Sequence, residues 1–211
     1  SEHNTKNKVY AVVAPSISSQ FSYAKLGQVI TGLKELGFFT VIEAALGADM
    51  VAMAESKELV EKGFLTMDFG AMCEGYHSDM TRTIVIGKAD AEMKRLYDTV
   101  LEAQLAALAA IREGESNAAM DKIARDIIDG AGYEGCFGHS LGHGVGLKIH
   151  ETPGLSWGAG DRTLKRMELV TVEPGIYIEG KYGCRIEDMV VVEPDGNRNL
   201  TKSPKEMIEI C

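Results

Sequence analysis

Four carboxylates occupy positions that a folding chain tolerates badly. Asp68 follows the apolar run FLTM, Asp79 stands against Met80, Glu173 interrupts LVTV, and Glu187 lies inside CRIEDMVVV. Strands disfavour Asp and Glu, and a buried carboxylate is very costly unless a cation meets it or a proton neutralises it. One such acid could be a strand-end residue facing water. Four of them demand a common cationic partner, and so a fold that gathers distant parts of the chain at one place.

The histidines point to the same place. HSLGHGVGLKIHETP holds His139, His143 and His150, three of the five histidines in the chain. The segment is rich in Gly and has few large apolar residues, so it is no ordinary core element. It lacks the His-Glu-x-x-His spacing that sets two zinc ligands on one helix face, and the remaining ligands must come from elsewhere. Four carboxylates and one imidazole suffice for two divalent ions, which carboxylate bridging holds about 3.5–4 Å apart. An oxygen-rich set favours manganese, cobalt or iron over the thiolate-rich sites that select structural zinc. Two ions sharing one water would make it acidic enough to react at neutral pH, which is hydrolase chemistry. His77, in the turn before Asp79, reads as a surface residue, and Tyr76 and Trp157 read as packing residues.

Composition narrows the classes. A net charge of −9 over 211 residues argues against nucleic acid and against an acidic membrane surface. No apolar run approaches the roughly 20 residues of a membrane span, and the opening SEHNTKNK has no apolar stretch of a signal peptide. Cys73, Cys136, Cys184 and Cys211 are scattered without a C-x-x-C pair. That fits reduced thiols and a cytoplasmic location.

Hydrophobic periodicity divides the chain in two. Up to residue 66 it alternates strand and helix: KVYAVVAPS, AKLGQVITGLKELGF, FFTVIEAAL, GADMVAMAESKELVEKG. This is the β-α-β-α order of an α/β unit. Beyond it, two strands are expected around the turn at Glu74-Gly75. Two helices are expected over 90–112 and 118–130, the second capped by Ser116, followed by a strand-rich last third.

Taken in order, MDFGAMCEGYHSDMTRT, HSLGHGVGLKIHETP, TVEPGIYI and GCRIED resemble the creatinase/aminopeptidase ("pita-bread") metallopeptidases, on the Xaa-Pro dipeptidase (prolidase) and aminopeptidase P branch. The resemblance covers residues 61–211. It implies two divalent metal ions, manganese or cobalt ahead of zinc or iron. Asp68 would chelate one ion, Asp79 and Glu187 would bridge both, and His143 would bind one through a ring nitrogen. Glu173 would bind the other and shuttle a proton. His150 matches a histidine that steadies the tetrahedral intermediate, His139 one that lines the substrate pocket, and Arg185 an arginine just behind the metals. The implied substrate is a small peptide cleaved before proline.

Residues 1–66 depart from that pattern. They resemble the opening of the catalytic domain of iron-only hydrogenases, joined near FLT to the peptidase-like residues 67–211, as in a chimera. The expected fold is therefore α+β, a pita-bread core whose first half is partly replaced by a βαβα segment packed on it. No cluster cysteines accompany the hydrogenase-like part, so no iron–sulfur centre is expected and an electron-transfer role is disfavoured. The family's Pro-His segment is absent upstream of Asp68, where the chain has only His3. Impaired peptidase activity is the expectation. The rival from another class is a catalytically silent metal-binding or structural chimera. A homodimer is one assembly the resemblance allows.

Overall fold

In this computed structural model, the described residues are 63–210 together with the backbone of two short strands, Tyr10–Val13 (β1) and Thr40–Glu43 (β2). The chain divides into two units, residues 1–60 and 61–211. In the first, β1 and β2 pair in parallel, Tyr10 opposite Thr40. A parallel pair requires a crossover between its strands, as the β-α-β reading expects. The two helices read from this part of the sequence lie outside the described residues.

The second unit opens with β3 (Gly63–Phe69), which runs unbroken across the junction placed at residue 66. It pairs antiparallel with β6 (Met80–Ile86) in a register that sets Asp68 opposite Thr81. Between them β4 (Met72–Cys73) and β5 (Tyr76–His77) form a small hairpin. Its turn needs positive φ at both central residues, and Glu74 and Gly75 take 51° and 86°.

Helix α1 (Ala91–Ala110) follows, capped by Asp90, whose Oδ1 accepts from Met93 N at 2.9 Å. Met93, Leu96, Tyr97, Val100, Ala103 and Ala107 are its buried stripe at helical spacing. Helix α2 (Asn117–Ile128) starts at Ser116, the cap expected from the sequence, and its last turn passes into a π-helical turn at Asp129–Tyr133. The remaining strands are β7 (Gly142–Gly144), β8 (Glu151–Leu155), β9 (Leu169–Val172), β10 (Gly175–Ile178), β11 (Tyr182–Arg185), β12 (Asp188–Glu193), β13 (Gly196–Asn199) and β14 (Glu209–Ile210). Five of them form one sheet in the order β13-β12-β9-β7-β8, β10 pairs with β11, and β14 joins β6 and β3. Leu96, Val100, Met120 and Ile128 of the helices pack with Leu141, Leu155, Val170, Val172, Ile186 and Val190 in one buried cluster. No helix among the described residues is long and apolar enough to cross a membrane.

Candidate metal centre

The acids are delivered by strand ends. Asp79 immediately precedes β6, Glu173 immediately follows β9, and Glu187 immediately precedes β12, while Asp68 is the penultimate residue of β3. The sequence places these acids inside strand-like runs. In the structure Pro174 separates β9 from β10, and Ile186-Glu187 separates β11 from β12. Where pairing stops, a side chain is free to turn toward its neighbours across the sheet ends. His143 is the central residue of β7, whose Gly144 pairs with Val170 of β9.

Asp79, His143 and Glu187 each offer a ligand atom, and these atoms all lie within 4.8 Å of one another. His143 Nε2 is 3.2 Å from Glu173 Oε1 and 3.7 Å from Asp79 Oδ2. Its Nδ1 donates to the Gly144 carbonyl at 3.0 Å, which fixes the tautomer and leaves Nε2 facing the acids. Asp68 is not among the three residues whose ligand atoms meet, though its charge acts on Asp79. Its carboxylate pairs with Arg185 Nη2 and is half exposed.

Crowding of like charges shows in the acidities. Burial, and then the charge of Asp68, push Asp79 above its ordinary range. Burial, and then the charge of Glu173, push Glu187 up to about 8. Burial would also raise Glu173, but its bond to His143 and the Thr171 hydroxyl hold it below the ordinary value. The same contact acts on His143: burial disfavours its charged ring, yet bonding to Glu173 holds its pKa above the ordinary value.

Two threonines complete the arrangement, and the sequence reading passed over both. Thr81 donates to Glu187 Oε2 at 2.6 Å and accepts from Arg185 Nε at 2.9 Å. Thr171 accepts from His143 N at 3.0 Å and donates to Glu173 Oε1 at 2.9 Å. Each lies two residues from an acid, Asp79 or Glu173, and a two-residue step on a strand keeps one face. That offset was the available signal. Tyr177 was missed as well: its hydroxyl accepts from Arg185 Nη1 at 3.2 Å and lies 2.9 Å from His139 Nε2. His139, His143, His150, Glu173 and Arg185 line one pocket of about 260 Å³, and the rings of His143 and His150 are 4.1 Å apart. His77, read as a surface residue, is half buried, with Nδ1 3.3 Å from the Gly146 carbonyl.

Residues 6–194 match Metallopeptidase family M24. The chain belongs to that family. It is 42% identical over 178 residues to an uncharacterized peptidase of Bacillus subtilis, an alignment covering 84% of this chain and 50% of that one. It is 39% identical over 180 residues to the Xaa-Pro dipeptidase of Pyrococcus horikoshii, covering 85% of this chain and 51% of that protein. Among solved structures, the Xaa-Pro dipeptidase of Bacillus anthracis aligns with a TM-score of 0.68 at 50% identity, over 70% of this chain and 41% of that one. The chain spans about half the length of the curated relatives it matches. The likeness carries the pita-bread fold of the prolidases.

The residues fit the divalent metals that M24 enzymes use. Among the described residues, the buried Glu187 Oε1 has no hydrogen-bond partner. An orphaned buried carboxylate oxygen beside Asp79 and an imidazole nitrogen is a donor set that a hard or borderline cation completes.

Proposed function

We propose that this chain is the core of a dinuclear-metal peptidase that cleaves the N-terminal Xaa-Pro bond of small peptides. The observation that carries the reading is the meeting of Asp79, His143 and Glu187, with Glu173 bonded to His143; His143 and Glu173 also line the pocket holding His139 and His150. Asp79 and Glu187 would bridge two ions and His143 would bind one. Glu173 would bind the other, and Asp68 would chelate one ion after exchanging its Arg185 partner for metal. Manganese or cobalt suits this oxygen-rich set. The ions supply Lewis acidity and an acidic water when bound.

The chain's own groups do the rest. Glu173 lies within reach of the pocket and is kept ionised by His143, so it can take a proton at its carboxylate and return it to the departing amine. His150, beside His143, is placed to donate to the developing oxyanion. Arg185 holds Tyr177 and Thr81 and so fixes the floor on which His139 rests. Relatives described as Xaa-Pro dipeptidases support proline as the directing residue.

Turnover is expected to be weak, because no Pro-His segment stands upstream of Asp68 to hold the substrate, and positioning supplies several kcal/mol of catalysis. The graft of a hydrogenase-like segment at residues 1–66, packed on the core, rests on sequence resemblance alone, and the family match runs through that segment from residue 6. The reading is tested with the chain loaded with Mn or Co, measuring bound metal and kcat/KM on Ala-Pro. Wild type should bind more metal than Asp79→Ala or Glu187→Ala, and turn over below about 10⁴ M⁻¹s⁻¹, the lower edge of ordinary enzymes. Equal metal in all three would overturn the metal centre. Bound metal without turnover would favour the catalytically silent alternative.

A further inference from the structure

The segment that delivers His139 to the pocket has no regular structure of its own. Residues 136–141 belong to neither helix nor strand. What holds them is a pair on α2, Asp121 and Arg125, one turn apart. Arg125 Nε and Nη2 donate to the two Asp121 oxygens at 3.0 and 3.3 Å. The same guanidinium donates to the Phe137 carbonyl at 2.7 Å and to the His139 carbonyl at 2.9 Å. Asp121 Oδ1 also accepts from Leu141 N at 2.8 Å. Residues 137, 139 and 141 are thus gripped at alternate positions along one edge, the pattern a neighbouring strand would supply.

The pair is built for permanence. Asp121 is 1% exposed and Arg125 25%. The Arg125 guanidinium lies 4.4 Å from the Phe137 ring centroid and 4.6 Å from that of Trp157, with cation–π attraction on both. Phe137 meets His139 edge-on at 5.0 Å. Downstream, the imidazole is held by Ser140 O, 2.9 Å from Nδ1, and by Tyr177 OH, 2.9 Å from Nε2. A carbonyl only accepts, so Nδ1 carries the proton. The Tyr177 hydroxyl accepts from Arg185 and keeps its own proton to donate to Nε2. This geometry favours the Nδ1–H tautomer of His139.

We propose that Arg125, fixed by Asp121, is a positioning residue that sets the orientation and tautomer of His139 in the substrate pocket. It acts through two backbone carbonyls and touches no substrate. The proposal rests on the reading of His139 as a pocket residue, but its principal test does not need turnover.

Long-range ¹H–¹⁵N spectra of the histidine rings in the full chain resolve tautomers, and only five histidines contribute. Wild-type His139 should show the Nδ1–H pattern. Arg125→Gln should shift His139 toward mixed tautomers while leaving His143 and His150 in place. Should Arg125→Gln fail to fold, Arg125→Lys is read instead. Lysine keeps the charge between the two rings but lacks the planar fork that reaches both carbonyls and the carboxylate together, so the same His139 shift is expected. A lower melting temperature with an unchanged His139 pattern would show a merely structural pair and overturn the proposal. In the metal-loaded chain, KM for Ala-Pro should rise roughly tenfold with kcat little changed, as lost positioning of a substrate contact predicts. A wild type without turnover would sink the peptidase reading and leave the spectral result standing.

Discussion

Glu187 carries the sharpest conflict in the molecule. Its ordinary carboxyl pKa of 4.5 is raised to about 8 by burial and by the charge of Glu173. A raised pKa means that the folded chain holds the proton more tightly than the unfolded one. That contribution to stability is complete below about 4.5 and is lost as pH rises through about 8. With chelator present, Glu187→Gln should abolish this slope, since the amide has the same shape and no charge to bury. By about pH 8.5 the variant should melt higher than wild type by several degrees or more, since each unit of raised pKa is worth about 1.4 kcal/mol. Saturating Mn should reverse the order, because an amide is a poor bridging ligand. Parallel melting curves from about pH 5 to pH 8.5 would show that Glu187 ionises without cost.

Strand pairing decides how these acids are aimed. Thr81 and Thr171 share faces with Asp79 and Glu173, and each hydroxyl accepts one bond while donating another into the acid cluster. Partners that orient ligands in this way are commonly worth a factor of about 10–100 in metal affinity. Thr171→Val is expected to weaken Mn binding by that amount in calorimetric titration, and unaltered affinity would reduce Thr171 to a packing residue. The close approach of β7 to β9 sets a stricter condition. A Cβ on Gly142 would overlap the Thr171 carbonyl oxygen, so Gly142→Ala must force the two strands apart beside His143. Overpacking of this kind costs about 1–3 kcal/mol, and the variant should lose metal binding along with several degrees of melting temperature.

For the 61–211 unit as a whole, one buried hub ties the site to the rest of the fold. Arg82, 7% exposed in its side chain, donates to the Thr81, Glu187, Ser203 and Pro204 carbonyls and to Asp188 Oδ1 at 2.8 Å. Asp188 also meets Lys205 Nζ at 2.6 Å and accepts from Asn199 Nδ2 at 2.5 Å. The starts of β6 and β12, which carry Asp79 and Glu187, are thus bound to the C-terminal segment. Removing one partner of a buried pair strands the other, at about 3–5 kcal/mol. Arg82→Met should lose about that much in urea unfolding, and a loss below about 1 kcal/mol would mean Lys205 and Asn199 suffice for Asp188. The sequence by itself determined a good deal of this molecule. The spacing of apolar residues fixed both helices, Asp90 and Ser116 marked their starts, and the order of four motifs marked the M24 core, because these signals are local. The meeting of Asp79, His143 and Glu187 was likewise legible, since burying charge is costly wherever it occurs. What only the tertiary structure decided is who faces whom: Asp68 on Arg185, Thr171 between His143 and Glu173, and Arg125 of a helix gripping the backbone of a distant loop. Apart from the two-residue step from Thr171 to Glu173, those contacts join residues from 12 to 117 positions apart. Their geometry depends on where strands end and how closely sheets approach, which no short stretch of sequence records.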